Sequence, residues 1–144
     1  MGTLLGSSLT YLFQSRTSSR TELFTRDERL RQERITVYSA YVGAMFDLRR
    51  SLVDLWKARR DESCEPATLR EIEKVKIASR LAAYQALARV ILVTDDEHVT
   101  SLARAAIELN TLDKVESEEE LGSRRKAIRL AVETFIEAAA VHVK

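Results

Sequence analysis

Residues 35–56 read ITVYSAYVGAMFDLRRSLVDLW, and the spacing within them decides the fold. Ile35, Tyr38, Val42, Met45, Leu52 and Trp56 fall three or four residues apart, a row broken only by Arg49. A second row, Tyr41, Met45, Leu48, Leu52 and Leu55, widens the same face. Apolar side chains at this period mark one side of an α-helix, and so broad a stripe must pack against more than one partner helix.

Upstream, no Gly or Pro interrupts residues 14–34, so the helix is expected to continue through a polar stretch. Its only strong hydrophobes are Leu23, Phe24 and Leu30; Leu23, Leu30 and Val37 lie seven apart, a sparse heptad line. Glu22/Arg26 and Asp27/Arg31 stand in the acid-first i,i+4 order, each pair worth about 0.2–0.5 kcal/mol. A helix from about Ser15 to Arg60 is roughly 70 Å long at 1.5 Å per residue. That exceeds a compact bundle of this size, so residues 14–34 should project as a charged neck. Self-association through Leu23, Phe24, Leu30 and Val37 would give those side chains a route to burial, making the chain a homo-oligomer.

Downstream, RRDESCEPAT (59–68) ends helix 1. Pro66 suits the first position of helix 2, with Thr68/Glu71 as an alternative capping box. Helix 2 then carries Ile77, Leu81, Tyr84, Ala88 and Ile91 on one face. Thr94 and Glu97 form a T-x-x-E box for helix 3, whose stripe is Val99, Leu102, Ala106 and Leu109. Ser117 and Glu120 repeat the signature before Leu121, Ile128, Val132, Phe135, Ala139 and Val143. The expected fold is all-α: an antiparallel four-helix bundle over residues 35–144 with a long projecting first helix.

Composition agrees with that reading. Of 144 residues 45% are hydrophobic, enough for a core, while the 4 glycines and single proline starve hairpins. Lys+Arg at 23 nearly cancels Asp+Glu at 22, which argues against a dedicated nucleic-acid binder. Arg26, Arg29, Arg31 and Arg34 are interleaved with Asp27, Glu28 and Glu33, the pattern of a solvated charged face. Cys64 is the only cysteine, so neither an intrachain disulfide nor a thiolate zinc cluster is available, and the setting should be reducing.

No pattern of catalysis emerges. His98 and His142 have no helical metal-ligand spacing, and Asp95, Asp96 and Glu97 before an apolar repeat read as a helix start, not a metal site. There is no phosphate-cradling glycine motif and no nucleophile with a base at recognisable spacing. The chain is therefore read as non-enzymatic, without metal or cofactor. Arg49 and Trp56 are the candidate pocket residues. Arg49 either binds an anionic ligand inside the bundle, or snorkels to the bundle edge or pairs with an acid such as Glu133 or Glu137, and Trp56 either lines that pocket or is plain core.

The N-terminus is different in character. Residues 1–13 carry no charged side chain, and Arg16 and Arg20 follow at once. Tyr11, Phe13 and then arginines give the order found at the cytoplasmic end of a membrane helix. Gly2, Gly6 and Thr10 continue a small-x-x-x-small row, which lets membrane helices approach closely. Spanning takes about 20 apolar residues, so this segment reads as part of a membrane helix, with a packed or frayed soluble turn as the alternative.

The order LLGSSLTYLFQSR, then RDERLRQERITVYSAYVGAMFDLRR, resembles small actinobacterial proteins with one N-terminal membrane helix, an Arg/Glu-rich helix and a cytoplasmic helical domain. The resemblance covers about the first third of the chain and implies topology, not activity. It departs from that pattern by starting midway through the membrane segment. The expectation is a membrane-tethered interaction or scaffold protein at the cytoplasmic face of the inner membrane, binding a protein partner or itself. The alternative is a soluble helical regulator that binds a small ligand or a protein.

Overall fold

A computed structural model describes the backbone of residues 4–110 and 114–144, and side chains from Thr17 onward within those limits. Four helices follow one another: α1 (Leu4–Arg60), α2 (Pro66–Val93), α3 (Glu97–Leu109) and α4 (Glu118–Ala140). Helix α1 has 57 residues, about 85 Å at 1.5 Å per residue, and begins well before the expected Ser15. No proline interrupts it, and Lys57, Arg59 and Arg60 in its last turn complement the helix dipole.

Side-chain bonds fix the helix directions. The end of α1 meets the start of α2 through Arg59 and Glu73 at 3.3 Å, while Arg34, much earlier in α1, donates to the Val93 carbonyl at the end of α2. Those two helices are antiparallel. Tyr41 Oη donates to Ala103 O of α3 at 2.6 Å, and Asn110, past its end, lies against Met45, so α3 runs parallel to α1. Trp56 Nε1 donates to Val115 O just before α4, and Arg31 Nε donates to Val143 O just after it. Helix α4 thus returns antiparallel to α1, closing an up-down-up-down bundle.

The core follows the double row of α1. Tyr41, Met45 and Leu48 are buried against Ala83, Leu87 and Val90 of α2, Val99 and Ala103 of α3, and Val132 and Phe135 of α4. Phe135 stands edge-on to Tyr41 and Tyr38, with ring centroids 4.9 and 5.8 Å away. The expected α4 row is buried from Leu121 to Ala139, with Val143 packed at its edge. Ser117 caps that helix by accepting from Glu120 N, and Glu120 returns a bond from Glu116 N.

Other local expectations are corrected. In α2 the buried side chains are Ala83, Ala86, Leu87 and Val90, whereas Ile77, Leu81 and Tyr84 are exposed. Two apolar rows share this helix, and the one in which Ala83 and Ala86 stand beside Leu87 and Val90 is turned inward. Alanines let two helix backbones approach closely, and α1 packs most extensively against α2. Helix α3 is capped by Asp96, which accepts from His98 N and Val99 N; Thr94 is instead buried, its Oγ1 2.6 Å from Tyr38 Oη. Helix α2 starts at Pro66, and Glu71 pairs with Lys74 at 2.8 Å instead of capping. In the neck, Arg31 is held by Glu28 and the Val143 carbonyl, so the expected Asp27/Arg31 pair does not form. Cys64 is half-buried.

The neck projects. Residues 17–27 are exposed, with Leu23 at 60% and Phe24 at 74% of full accessibility. Arg31 and Arg34 tie the following turns to the C-terminal ends of α4 and α2. Val37 packs against the core, so the heptad line that begins at Leu23 runs out into solvent from the bundle.

Candidate interaction and ligand surfaces

Arg49 interrupts the inward row of α1, so its side chain emerges at the seam between α1 and α4. There it meets Gly122, Arg125, Lys126 and Arg129 around a cavity of about 310 Å³. A second cavity of about 580 Å³ adjoins it, lined by Phe46, Arg49, Arg50, Val53, Asp54, Lys57 and Arg125. The Arg49 guanidinium stacks over Phe46, 5.1 Å from the ring centre. Burial, then the like charges of Arg125, Arg129 and Arg50, hold its pKa below the ordinary arginine range. Glu133 lies 3.8 Å from Arg129 and forms no bridge to Arg49, so the side chain takes the edge position and the alternative pair with Glu133 or Glu137 does not form.

Trp56 is not part of this groove. It is buried, its Nε1 donates to Val115 O at 2.9 Å, and Arg60 covers its ring at 3.9 Å. Arg60 also donates to Val115 O, so the indole and guanidinium together fasten the chain entering α4. Of the two expected pocket residues, Arg49 lines a groove and Trp56 is core.

The apolar surfaces are equally distinct. On α2, Ile77 at 64% and Leu81 at 60% exposure continue through Tyr84 to Leu92 along one side. At 3.6 residues per turn this row lies nearly opposite the buried Ala83, Ala86, Leu87 and Val90. On the neck, Leu23, Phe24 and Leu30 are exposed. A further cavity of about 350 Å³ sits where neck and bundle meet, lined by Ile35, Tyr38, Val42, Phe135 and Ile136 among others.

Of the expected membrane-facing residues, Gly2, Gly6, Thr10, Tyr11, Phe13 and Arg16 lie outside the residues whose side chains are described, and Arg20 is exposed. Among the described residues no helix is long and apolar enough to cross a membrane, and no group of three or more His, Cys, Asp or Glu is placed to hold a metal ion. The spanning-helix expectation therefore has no support from the described part of α1.

The family described as KilB plasmid transfer protein matches residues 35–143. The match starts where α1 enters the bundle and leaves out the neck. No curated protein and no solved structure matches the chain.

Proposed function

The chain belongs to the KilB plasmid transfer protein family, and from that premise we propose that it serves plasmid transfer as a non-catalytic helical scaffold. It engages a second copy of itself or a protein partner through the outer face of its bundle and its long first helix. The observation that carries this reading is the outward row Ile77, Leu81, Tyr84 and Leu92 on α2. The inner face of the same helix already fills the core, so folding of the single chain does not use this row. Each such side chain is worth about 1.5–3 kcal/mol when fully buried, a gain that only association makes available. Exposed Leu23 and Phe24 add further unburied apolar surface on the neck.

Sedimentation of the full chain at high micromolar concentration tests the proposal, with Leu81→Glu and Leu23→Glu as variants. The expected result is a dimer or larger assembly that Leu81→Glu dissociates without loss of helicity. A monomeric wild-type chain defeats self-association and leaves only a foreign partner. An assembly indifferent to both substitutions moves the contact elsewhere.

Attachment to the cytoplasmic face of the inner membrane through residues 1–13 is a separable part of the proposal, drawn from their lack of charged side chains. Co-flotation with lipid vesicles, compared between the full chain and one starting at Ser15, tests it; equal behaviour of the two removes the tether.

A further inference from the structure

Charge is balanced over the whole chain, +1 in total, yet it is strongly segregated at the α1/α4 seam. Arg49, Arg50 and Lys57 from α1 face Arg125, Lys126 and Arg129 from α4 around the two adjoining cavities. Asp54 is the one carboxylate among the lining residues. Among the described residues, only Arg129 of the six cations stands within ion-pair distance of a carboxylate, at 3.8 Å. Like charges packed this closely repel, and a fold gains nothing from the arrangement by itself.

Gly122 supplies an independent observation. It lies within α4, where glycine costs a helix roughly 1 kcal/mol relative to alanine. Close packing does not demand it, because a Cβ built there meets no atom within 4 Å. Gly122 lines the smaller cavity and adds no side-chain bulk to its wall.

We propose that this seam is a binding site for a compact ligand carrying two or more phosphate groups, as in a nucleoside triphosphate or a short inorganic polyphosphate. Four of the six cations are arginines, whose planar forks match phosphate oxygens in pairs. Both cavities have volumes typical of small-molecule sites. A long polyanion fits less well. Along α4 the cations are bounded by Glu118, Glu119 and Glu120 on one side and Glu133 and Glu137 on the other, which would repel a strand extending past the groove. The site is independent of the self-association proposed above.

Calorimetric titration of the full chain with inorganic triphosphate at low salt tests this. Binding at one site per chain is expected, weakened at least tenfold by Arg125→Glu and several-fold by Arg129→Ala. Both residues are exposed, so the bundle should persist, and circular dichroism checks it. Arg104→Glu, on the exposed side of α3, should change affinity less than twofold. Parallel titrations with adenosine triphosphate separate a nucleotide from a free polyphosphate, since tighter binding of one names the source. Absence of wild-type binding at millimolar triphosphate overturns the proposal, as does binding that Arg125→Glu and Arg129→Ala leave unchanged. Binding of duplex DNA or anionic vesicles but not triphosphate overturns it in favour of an extended surface.

Discussion

His142 Nε2 lies 2.9 Å from Asp96 Oδ2, so the residue that caps α3 also holds the chain just beyond α4. Asp96 meanwhile accepts from the backbone of His98 and Val99 through its other oxygen. One carboxylate thereby joins two helix ends that are far apart in sequence.

This arrangement makes stability depend on acid. The bond to His142 and then the His98 amide hold the Asp96 carboxyl below the usual aspartate range. A lowered folded-state pKa stabilises the fold at every pH above the ordinary value, roughly 3.9, and that contribution drains away as pH falls through the lower folded value. Melting temperature should therefore drop in strong acid, and Asp96→Asn should flatten that part of the profile while preserving the cap. Asp96→Ala should lose both, lowering the melting temperature by on the order of a few degrees at neutral pH. Identical acid profiles for wild type and Asp96→Asn would remove Asp96 from the account.

Tyr41 governs the alkaline side. Its hydroxyl is fully buried, donates to Ala103 O at 2.6 Å, and burial pushes its pKa far above that of free tyrosine. The unfolded chain loses this proton near pH 10 while the folded chain keeps it, so stability should fall as pH rises above roughly 10. Tyr41→Phe should abolish that dependence and cost about 1 kcal/mol at neutral pH through the missing hydrogen bond. Urea denaturation at pH 7 and at pH 10.5 measures both effects.

How far the sequence carried this fold differs from helix to helix. In α4 one apolar row follows a serine cap, and Leu121, Ile128, Val132 and Phe135 are all buried as their spacing implies. In α2 two apolar rows compete, and the bulkier Ile77, Leu81 and Tyr84 suggest burial more strongly than Ala83 and Ala86 do. Side-chain size misleads where close helix contact selects for small residues. Thr94 misled for another reason: its hydroxyl suits a cap, but Asp96 two residues on does so as well, and Tyr38 offers Thr94 a buried partner. At the basic groove, Arg49 stands out from its own helix pattern. Nothing local in the sequence, however, pairs it with Arg125 and Arg129, because only the α1/α4 packing brings them together.

The Tyr38–Thr94 contact can be probed directly. Thr94→Val keeps the shape of the side chain but leaves the Tyr38 hydroxyl without this partner in a buried position. The expected cost is about 1–3 kcal/mol, the penalty for an unsatisfied buried polar group. Thr94→Ser, which retains the hydroxyl, should recover most of it. If instead Thr94 acted as the cap of α3, Thr94→Asp would be tolerated as an equally good cap, whereas a Thr94 buried against Tyr38 makes that carboxylate strongly destabilising, so this variant separates the two roles in one denaturation series.

Gly43 and Gly122 allow fold and groove to be judged separately. Both lie inside helices, and a Cβ at either meets nothing within 4 Å. Alanine at each position should raise stability by about 0.5–1 kcal/mol, since helical glycine carries an entropic cost that alanine lacks. A leucine at Gly43 should behave much the same and leave triphosphate binding alone. A leucine at Gly122 should also be tolerated by the helix, yet it adds bulk at the wall of the cavity that Arg49, Arg125 and Arg129 line. The expected result is unimpaired melting with several-fold weaker triphosphate binding. If Gly122→Leu is as stable as wild type and binds triphosphate equally well, the open space at Gly122 has no part in accommodating a ligand.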